Sequence, residues 1–238
     1  MTSLSWVEEA KRRAAEEAVQ HVEDGSIVGL GSGSTAAYAI RLLGERLRRG
    51  ELKTLLGVPT SLQAATEAVE AGIPLTTLEE HPAVDVAIDG ADQLDGRLNL
   101  IKGGGGALLR EKIVASCSKL YVIVADERKL ARRLGEGCPI PLEVHPMAVK
   151  PLLLRLREMG AKASVRMGGG KVGPVVTENG NLIVDAHFGP LEDPEGLEGR
   201  LRGIPGILET GLFLGYADVA YIGTKAGVRR LEASWRRR

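Results

Sequence analysis

Apolar positions along this chain recur at two spacings, and their alternation predicts most of the architecture. Val7, Ala14, Ala18 and Val22 fall on one helical face. Ser5 and Glu8 form a capping-box pattern ahead of them, so a helix is expected over about residues 5–21. Asp24-Gly25 turns the chain into a short apolar strand at 26–30. A glycine loop at 31–35 follows, then a helix to about residue 49. The alternation continues with a strand at 55–58 and a helix at 61–71 closed by Gly72. Strands at 84–88 and 120–124 then flank a helix at 107–116. Short apolar strands alternating with helices predict an α/β fold, a mainly parallel sheet with helices on both faces.

The pattern changes after about Arg133. Pro139 and Pro141 punctuate the chain, and a strand is expected at 142–144. Pro151 is expected at the first position of a helix that stops at Gly160. A strand at 161–167 follows. Val175-Val176-Thr177 and Leu182-Ile183-Val184 then flank Asn179-Gly180, the signal of a hairpin with a two-residue loop. Together these predict a small α+β insert ending near Ile204-Pro205-Gly206. Strands at 207–213 and 219–222 are expected to rejoin the main domain. The expected division is 1–131 and 207–238 for that domain and 132–206 for the smaller one.

The 238 residues, 44% of them apolar, suffice for such a domain and insert. Net charge is zero and aromatics make up 3%, so neither a basic footprint nor a base-stacking platform points to nucleic acid. The basic ending Trp235-Arg236-Arg237-Arg238 reads as a solvated tail. Cys117 and Cys138 lie far apart outside any CxxC pattern, as free thiols do in a reducing compartment. The start, Met1-Thr2-Ser3-Leu4-Ser5, lacks a basic segment followed by an apolar stretch, and no apolar run reaches membrane-spanning length. A soluble cytoplasmic protein without nucleic-acid or membrane partners is expected.

Chemistry concentrates in three loops at strand ends. Gly31-Ser32-Gly33-Ser34-Thr35 follows a strand and opens a helix, so its backbone N–H groups and hydroxyls suit a phosphate. A capped tight turn explains the glycines equally well, but three hydroxyls among them favour the anion. The spacing is not the G-x-G-x-x-G of dinucleotide sites, and Gly57-Val58-Pro59-Thr60 carries no acid for a ribose. No Lys precedes the Ser/Thr as in an ATP-type loop. A small phosphorylated ligand fits better than a nucleotide.

Asp89-Gly90-Ala91-Asp92 ends the strand at 84–88, on the sheet edge where ligands of open α/β sheets bind. One Asp is explained by an Asx turn; a pair is not. Lys102 precedes four glycines that let backbone N–H groups face a ligand. Glu111, alone between Arg110 and Lys112, reads as a solvated helix residue. Lys129 ends Asp126-Glu127-Arg128-Lys129, a surface turn that adds positive charge to the same edge. His21, His81, His145 and His187 are scattered, and Lys102 beside Asp89 and Asp92 argues for charge pairing without metal.

Five motifs in order carry a family resemblance: Gly31-Ser32-Gly33-Ser34-Thr35, Asp89-Gly90-Ala91-Asp92, Lys102-Gly103-Gly104-Gly105, Arg110-Glu111-Lys112 and Ala125-Asp126-Glu127-Arg128-Lys129. With them the chain resembles type A ribose-5-phosphate isomerases. The likeness is loose in the insert, at Phe188-Gly189-Pro190, and returns at Gly211-Leu212-Phe213. It implies a Rossmann-like main domain with a ferredoxin-like smaller one. It implies interconversion of ribose 5-phosphate and ribulose 5-phosphate without a cofactor, within the non-oxidative pentose phosphate pathway. It also implies a homodimer or homotetramer. Glu111 would be the proton-shuttling base. Substrate contacts would come from Ser32, Gly33, Ser34, Thr35, Asp89, Gly90, Ala91, Asp92, Lys102, Gly103, Gly104, Gly105 and Lys129. Gln93 stands where the family often has Glu, and Ser32 where Thr is frequent, which touches fine substrate contacts rather than the reaction.

Such an isomerisation moves one proton between neighbouring carbons through an enediolate, so one carboxylate suffices. Glu111 is assigned to it, with Lys102 and the N–H groups of Gly103, Gly104 and Gly105 as oxyanion donors. Asp89 is expected to open the furanose ring or take a hydroxyl proton, and Asp92 to orient Lys102. The rival readings are a related sugar-phosphate isomerase or deaminase and a non-catalytic sugar-phosphate sensor. The Lys102 glycine run and Arg110-Glu111-Lys112 disfavour the first. A single helix before the first strand, too little for a DNA-binding module, disfavours the second.

Overall fold

The computed structural model describes residues 5–170 and 172–233, so the basic ending lies outside the described residues. In chain order the first half comprises α1 (Trp6–Ala18), β1 (Ile27–Leu30), α2 (Ser34–Arg48), β2 (Leu56–Pro59), α3 (Leu62–Ala71), β3 (Val84–Gly90), β4 (Gln93–Leu94), β5 (Leu100–Ile101), α4 (Leu108–Cys117) and β6 (Ser118–Asp126). The second half comprises β7 (Ile140–Val144), α5 (Val149–Glu158), β8 (Lys162–Val165), β9 (Leu182–His187), α6 (Pro194–Arg202), β10 (Ile207–Thr210), β11 (Leu212–Phe213), β12 (Val219–Thr224) and β13 (Gly227–Glu232).

The main sheet runs β13-β12-β6-β3-β1-β2, parallel except for the edge strand β13. One face packs Ala14, Ala15 and Ala18 of α1, Ile40 and Leu43 of α2 and Ala64 and Ala68 of α3 against Val28, Val86 and Val122. The other packs Val114 and Ala115 of α4, with Leu100 and Phe213, against Ala87 and Ile123. Burial on both faces is why these strands read as apolar runs instead of alternating. β6, β3 and β1 are neighbours, so their carboxyl ends deliver the turn at 127–129, Asp89 to Asp92 and the glycine loop side by side.

The second sheet runs β10-β7-β9-β8 and is antiparallel, with α5 and α6 packed on it through Leu152, Leu156, Leu197 and Leu201. Its chain order, β7-α5-β8-β9-α6-β10, is the ferredoxin-like split βαβ arrangement. A third, three-stranded sheet, β11-β5-β4, lies between the two.

Three expectations differ in detail. The strand expected over 207–213 does not carry the chain back to the main sheet: β10 pairs with β7, β11 pairs with β5, and the main sheet is rejoined at β12. The switch falls at Gly211, where a Cβ would stand 2.3 Å from the Lys102 carbonyl oxygen. Only glycine allows that approach, and the strand breaks there. Pro151 is the third residue of α5, because a 3₁₀ turn at Pro146–Ala148 leads into Val149; it still lies in the first turn, where no N–H partner is lost. The hairpin loop has three residues. Thr177 N–H donates to the Asn181 carbonyl at 2.8 Å, enclosing Glu178, Asn179 and Gly180, with Gly180 at φ +79°.

Candidate active site

The loop after β1 opens α2 with Gly33 as N-cap and no side-chain cap, leaving the first helical N–H groups of Ser34 and Thr35 free for an anion. Ser32 Oγ is tied to Thr60 and Ser61 hydroxyls at 2.8 and 2.6 Å, and the Gly33 N–H to Gln63 Oε1 at 2.8 Å. Gly31 passes so near Asp89 that a Cβ would stand 2.3 Å from its carboxylate.

Asp89 is buried behind this loop. Its Oδ1 accepts from the N–H of Ser32 (3.1 Å) and of Gly90 (2.7 Å), and its Oδ2 from the Tyr121 hydroxyl (3.0 Å). Lys102 Nζ stands 3.1 Å from the same Oδ2. Four donors hold one carboxylate, which in turn anchors the ammonium. Lys102 leaves β5 with its N–H on the Gly211 carbonyl at 2.9 Å, is 2% exposed, and also donates to the Gly90 carbonyl. Burial alone would lower its pKa, but Asp89 and Glu111 outweigh that and raise it.

Glu111 is the residue whose sequence context misled. It occupies the buried stripe of α4 with Leu108, Lys112 and Ala115, and is 5% exposed. Oε1 lies 3.3 Å from Lys102 Nζ, while Oε2 has no hydrogen-bond partner. Burial pushes its carboxyl up to about 8 against the pull of Lys102. Lys112 is buried too, its Nζ on Glu209 Oε1 (2.8 Å) and the carbonyls of Thr210 (2.7 Å) and Leu212 (2.8 Å).

Asp92 turns its carboxylate to the Gly104 N–H at 2.6 Å, so it orders the glycine loop directly instead of orienting Lys102. An open cavity of about 170 Å³ is lined by Ser32, Gly33, Ser34, Thr35, Gly90, Ala91, Asp92, Lys102, Gly103, Gly104, Gly105, Glu111 and Lys129, with Lys11, Asp126 and Arg128. That is below the ~300–1,000 Å³ of drug-sized sites and suits a small metabolite. Asp89 is the one expected contact residue outside this lining. Gln93 faces away, bonded to the Gly135 N–H and the Glu136 carbonyl. Lys11 was not singled out in the sequence. Its Nζ reaches Ser34 Oγ at 3.0 Å from α1, and nothing in its own stretch distinguishes it from other helix-surface lysines. Among the described residues, no group of three or more His, Cys, Asp or Glu is arranged to hold a metal.

An anion cradle at one end of the cavity, and a buried carboxylate beside an anchored ammonium at the other, define an α/β enzyme of the proton-transfer kind acting on a small phosphorylated molecule. The family profile described as ribose 5-phosphate isomerase A (phosphoriboisomerase A) matches residues 56–227. The ribose-5-phosphate isomerase A of Pyrococcus horikoshii is 49% identical over 226 residues, covering 95% of this chain and 99% of its own. A D-ribose-5-phosphate isomerase solved in complex with phospho-erythronic acid superposes with a TM-score of 0.93 at 48% identity, over 95% of this chain and 99% of that one. The ribose 5-phosphate isomerase of Plasmodium falciparum gives a TM-score of 0.91 at 36% identity, over 96% and 100%. The chain belongs to the ribose 5-phosphate isomerase A family, and by that membership it is an isomerase.

Proposed function

We propose that the chain interconverts D-ribose 5-phosphate and D-ribulose 5-phosphate with Glu111 as the only group that moves the carbon-bound proton. The observation that carries this is a buried carboxylate with one unpartnered oxygen, 3.3 Å from a buried ammonium, in a cavity whose other wall is a free helix N-terminus. The phosphate sits on the N–H groups of Ser34 and Thr35, with Lys11 and Lys129 beside it. That leaves the C1–C2 end of the open-chain sugar at Glu111.

Ionised Glu111 takes the proton from C2 of the aldose. The C2 electron pair forms the C1–C2 double bond, and the carbonyl electrons move to O1. Lys102 and the Gly105 N–H stabilise the charge on O1. Glu111 then returns its proton to C1 as O2 becomes the carbonyl, and the hydroxyl proton of O2 ends on O1. Positioned acid–base groups of this kind supply ~10²–10⁴-fold. Asp89, saturated by donors, acts as a positioning residue that keeps Lys102 charged, and Asp92 is the carboxylate available to the ring oxygen during furanose opening. A phosphorylated erythronate mimics the enediolate with its carboxylate, and the relative solved with phospho-erythronic acid supports its use as a probe.

On the same reading the enzyme works in the cytoplasm, in the non-oxidative pentose phosphate pathway, as a homodimer or homotetramer without a cofactor. Leu62 and Val69, 68% and 65% exposed on α3, support an unsatisfied apolar surface. No helix among the described residues is long and apolar enough to cross a membrane. Two structural units are proposed, the main sheet with α1–α4 and the split βαβ unit, the latter extended through β10. The deciding assay is ribulose 5-phosphate formation from ribose 5-phosphate with divalent metal chelated. Sustained turnover is expected, and none would end the proposal.

A further inference from the structure

Arg166 follows β8 and reaches from the four-stranded sheet into the glycine loop of the active site. Its Nη1 donates to the carbonyl oxygens of both Gly103 and Gly104, at 2.8 and 2.9 Å. The other edge of the guanidinium is held by Asp185 of β9, Nε to Oδ2 at 2.8 Å and Nη2 to Oδ1. Asp185 is fixed in register, opposite Pro141 on one side and Ser164 on the other. Neither Arg166 nor Asp185 lines the cavity.

In a planar trans peptide the carbonyl and the following N–H point in opposite directions. Fixing the carbonyls of Gly103 and Gly104 therefore fixes the N–H groups of Gly104 and Gly105. The first is used internally, on Asp92 Oδ2 at 2.6 Å. The second has no internal acceptor among the described residues, and Gly105 lines the cavity beside Lys102 and Glu111. Consecutive glycines have no side chains to hold their peptide planes, and Gly103 already sits at φ +100°. The Gly106 N–H closes the turn on the Gly103 carbonyl at 2.9 Å, but that bond leaves the central peptide between Gly104 and Gly105 free to flip, and Arg166 holds its carbonyl.

We propose that Arg166, locked by Asp185, is a positioning residue that clamps two peptide planes of the glycine loop and so aims the Gly105 N–H at the developing oxyanion. The split βαβ unit thereby supplies part of the transition-state stabilisation without touching substrate. A planar fork is suited to this, because one guanidinium can grip a carboxylate along one edge and two carbonyls along the other. The clamp rests on the isomerase reading. Wild-type turnover tests that reading by itself, and the variant-to-wild-type ratio tests the clamp.

Arg166→Ala should lower kcat by ~10–100-fold, the scale of a misplaced catalytic group, with KM for ribose 5-phosphate changed less than about threefold. Inhibition by phosphorylated erythronate should weaken by a similar factor to kcat, and added guanidinium should restore part of kcat. Gly105→Pro deletes the N–H, so Arg166→Ala/Gly105→Pro should be no slower than Gly105→Pro alone. Where Arg166→Ala does not fold, Arg166→Lys serves, since one ammonium cannot hold Asp185 and both carbonyls; an intermediate loss of kcat is expected. Wild-type kcat in the folded variant, a loss confined to KM, or additive losses in the double variant would each overturn the clamp.

Discussion

Glu111 is costly to the fold where it is ionised, and the proposed mechanism uses it in that form. Its carboxyl is raised from 4.5 to about 8 because burial disfavours the charge more than Lys102 restores it. Between those values the folded protein holds a proton that the unfolded chain has released. The resulting stability is fully present below pH 4.5 and lost as pH climbs through about 8. The proposed mechanism needs the opposite form, the ionised base. kcat/KM of the wild type is therefore expected to rise with pH through about 8 and then level off, and a profile flat from pH 6 to 9 would remove Glu111 as the titrating base. Glu111→Gln should lose ~10²–10⁴-fold in kcat while keeping KM. It should also melt higher than wild type at pH 9, with the advantage fading toward pH 5, as expected where function opposes stability. Melting curves of both proteins at the two pH values check this.

At the scale of elements, the strands and helices that carry the site were legible because each is a short apolar run ending in a glycine or an acid. The loop after β1, the Asp89 turn and the Lys102 loop were legible for the same reason. Glu111 was not legible from its neighbours, since Arg110 and Lys112 look like a solvated face. The stripe Leu108, Glu111, Lys112, Ala115 would have revealed it, because two charged residues at core positions of an otherwise apolar spacing need buried partners. Lys11 and Arg166 were invisible for a different reason: their roles depend on tertiary approach, α1 to the anion loop and β8 to the glycine loop. Close approach also governs Gly31. A Cβ there meets Asp89 at 2.3 Å, so Gly31→Ala must displace either the anion loop or the carboxylate that anchors Lys102. A loss of roughly 1–3 kcal/mol is expected from such overpacking, together with lower kcat, and thermal melting with steady-state kinetics checks both. Lys11→Ala, by contrast, removes the proposed phosphate contact along with a part-exposed ion pair to Glu8 and the bond to Ser34 Oγ. It should raise KM several-fold with kcat nearly unchanged, and a kcat loss without a KM change would place Lys11 elsewhere in the mechanism.

At the scale of the whole molecule, α4 bridges the main sheet and the split βαβ unit. It packs Val114 and Ala115 on the main sheet's strands, points Glu111 into the cavity, and sends Lys112 to Glu209 of β10. Lys112 Nζ is also 3.5 Å from Glu198 of α6 and lies over the Phe213 ring at 4.7 Å, the ring that Lys102 Nζ approaches at 5.5 Å. One aromatic ring of β11 thus lies next to both the ammonium that faces Glu111 and the ammonium that ties the two sheets together. Lys112→Met keeps most of the volume but takes the ammonium from Glu209, Glu198 and two carbonyls, leaving the two carboxylates only their bonds from Thr210. Removing one partner of a buried ion pair costs ~3–5 kcal/mol, which at ~2–4 °C per kcal/mol for a chain of this size is a melting point lower by roughly 6–20 °C. Lys112→Met/Glu209→Gln should recover part of the loss, because the nearer and more buried of the two unpaired charges is then gone. Strictly additive losses would mean that the two side chains do not act as a pair. Because the same helix turn carries Glu111, Lys112→Met should also lower kcat in the fraction that remains folded. Unchanged kcat at full folding would show that the link between the sheets is structural only.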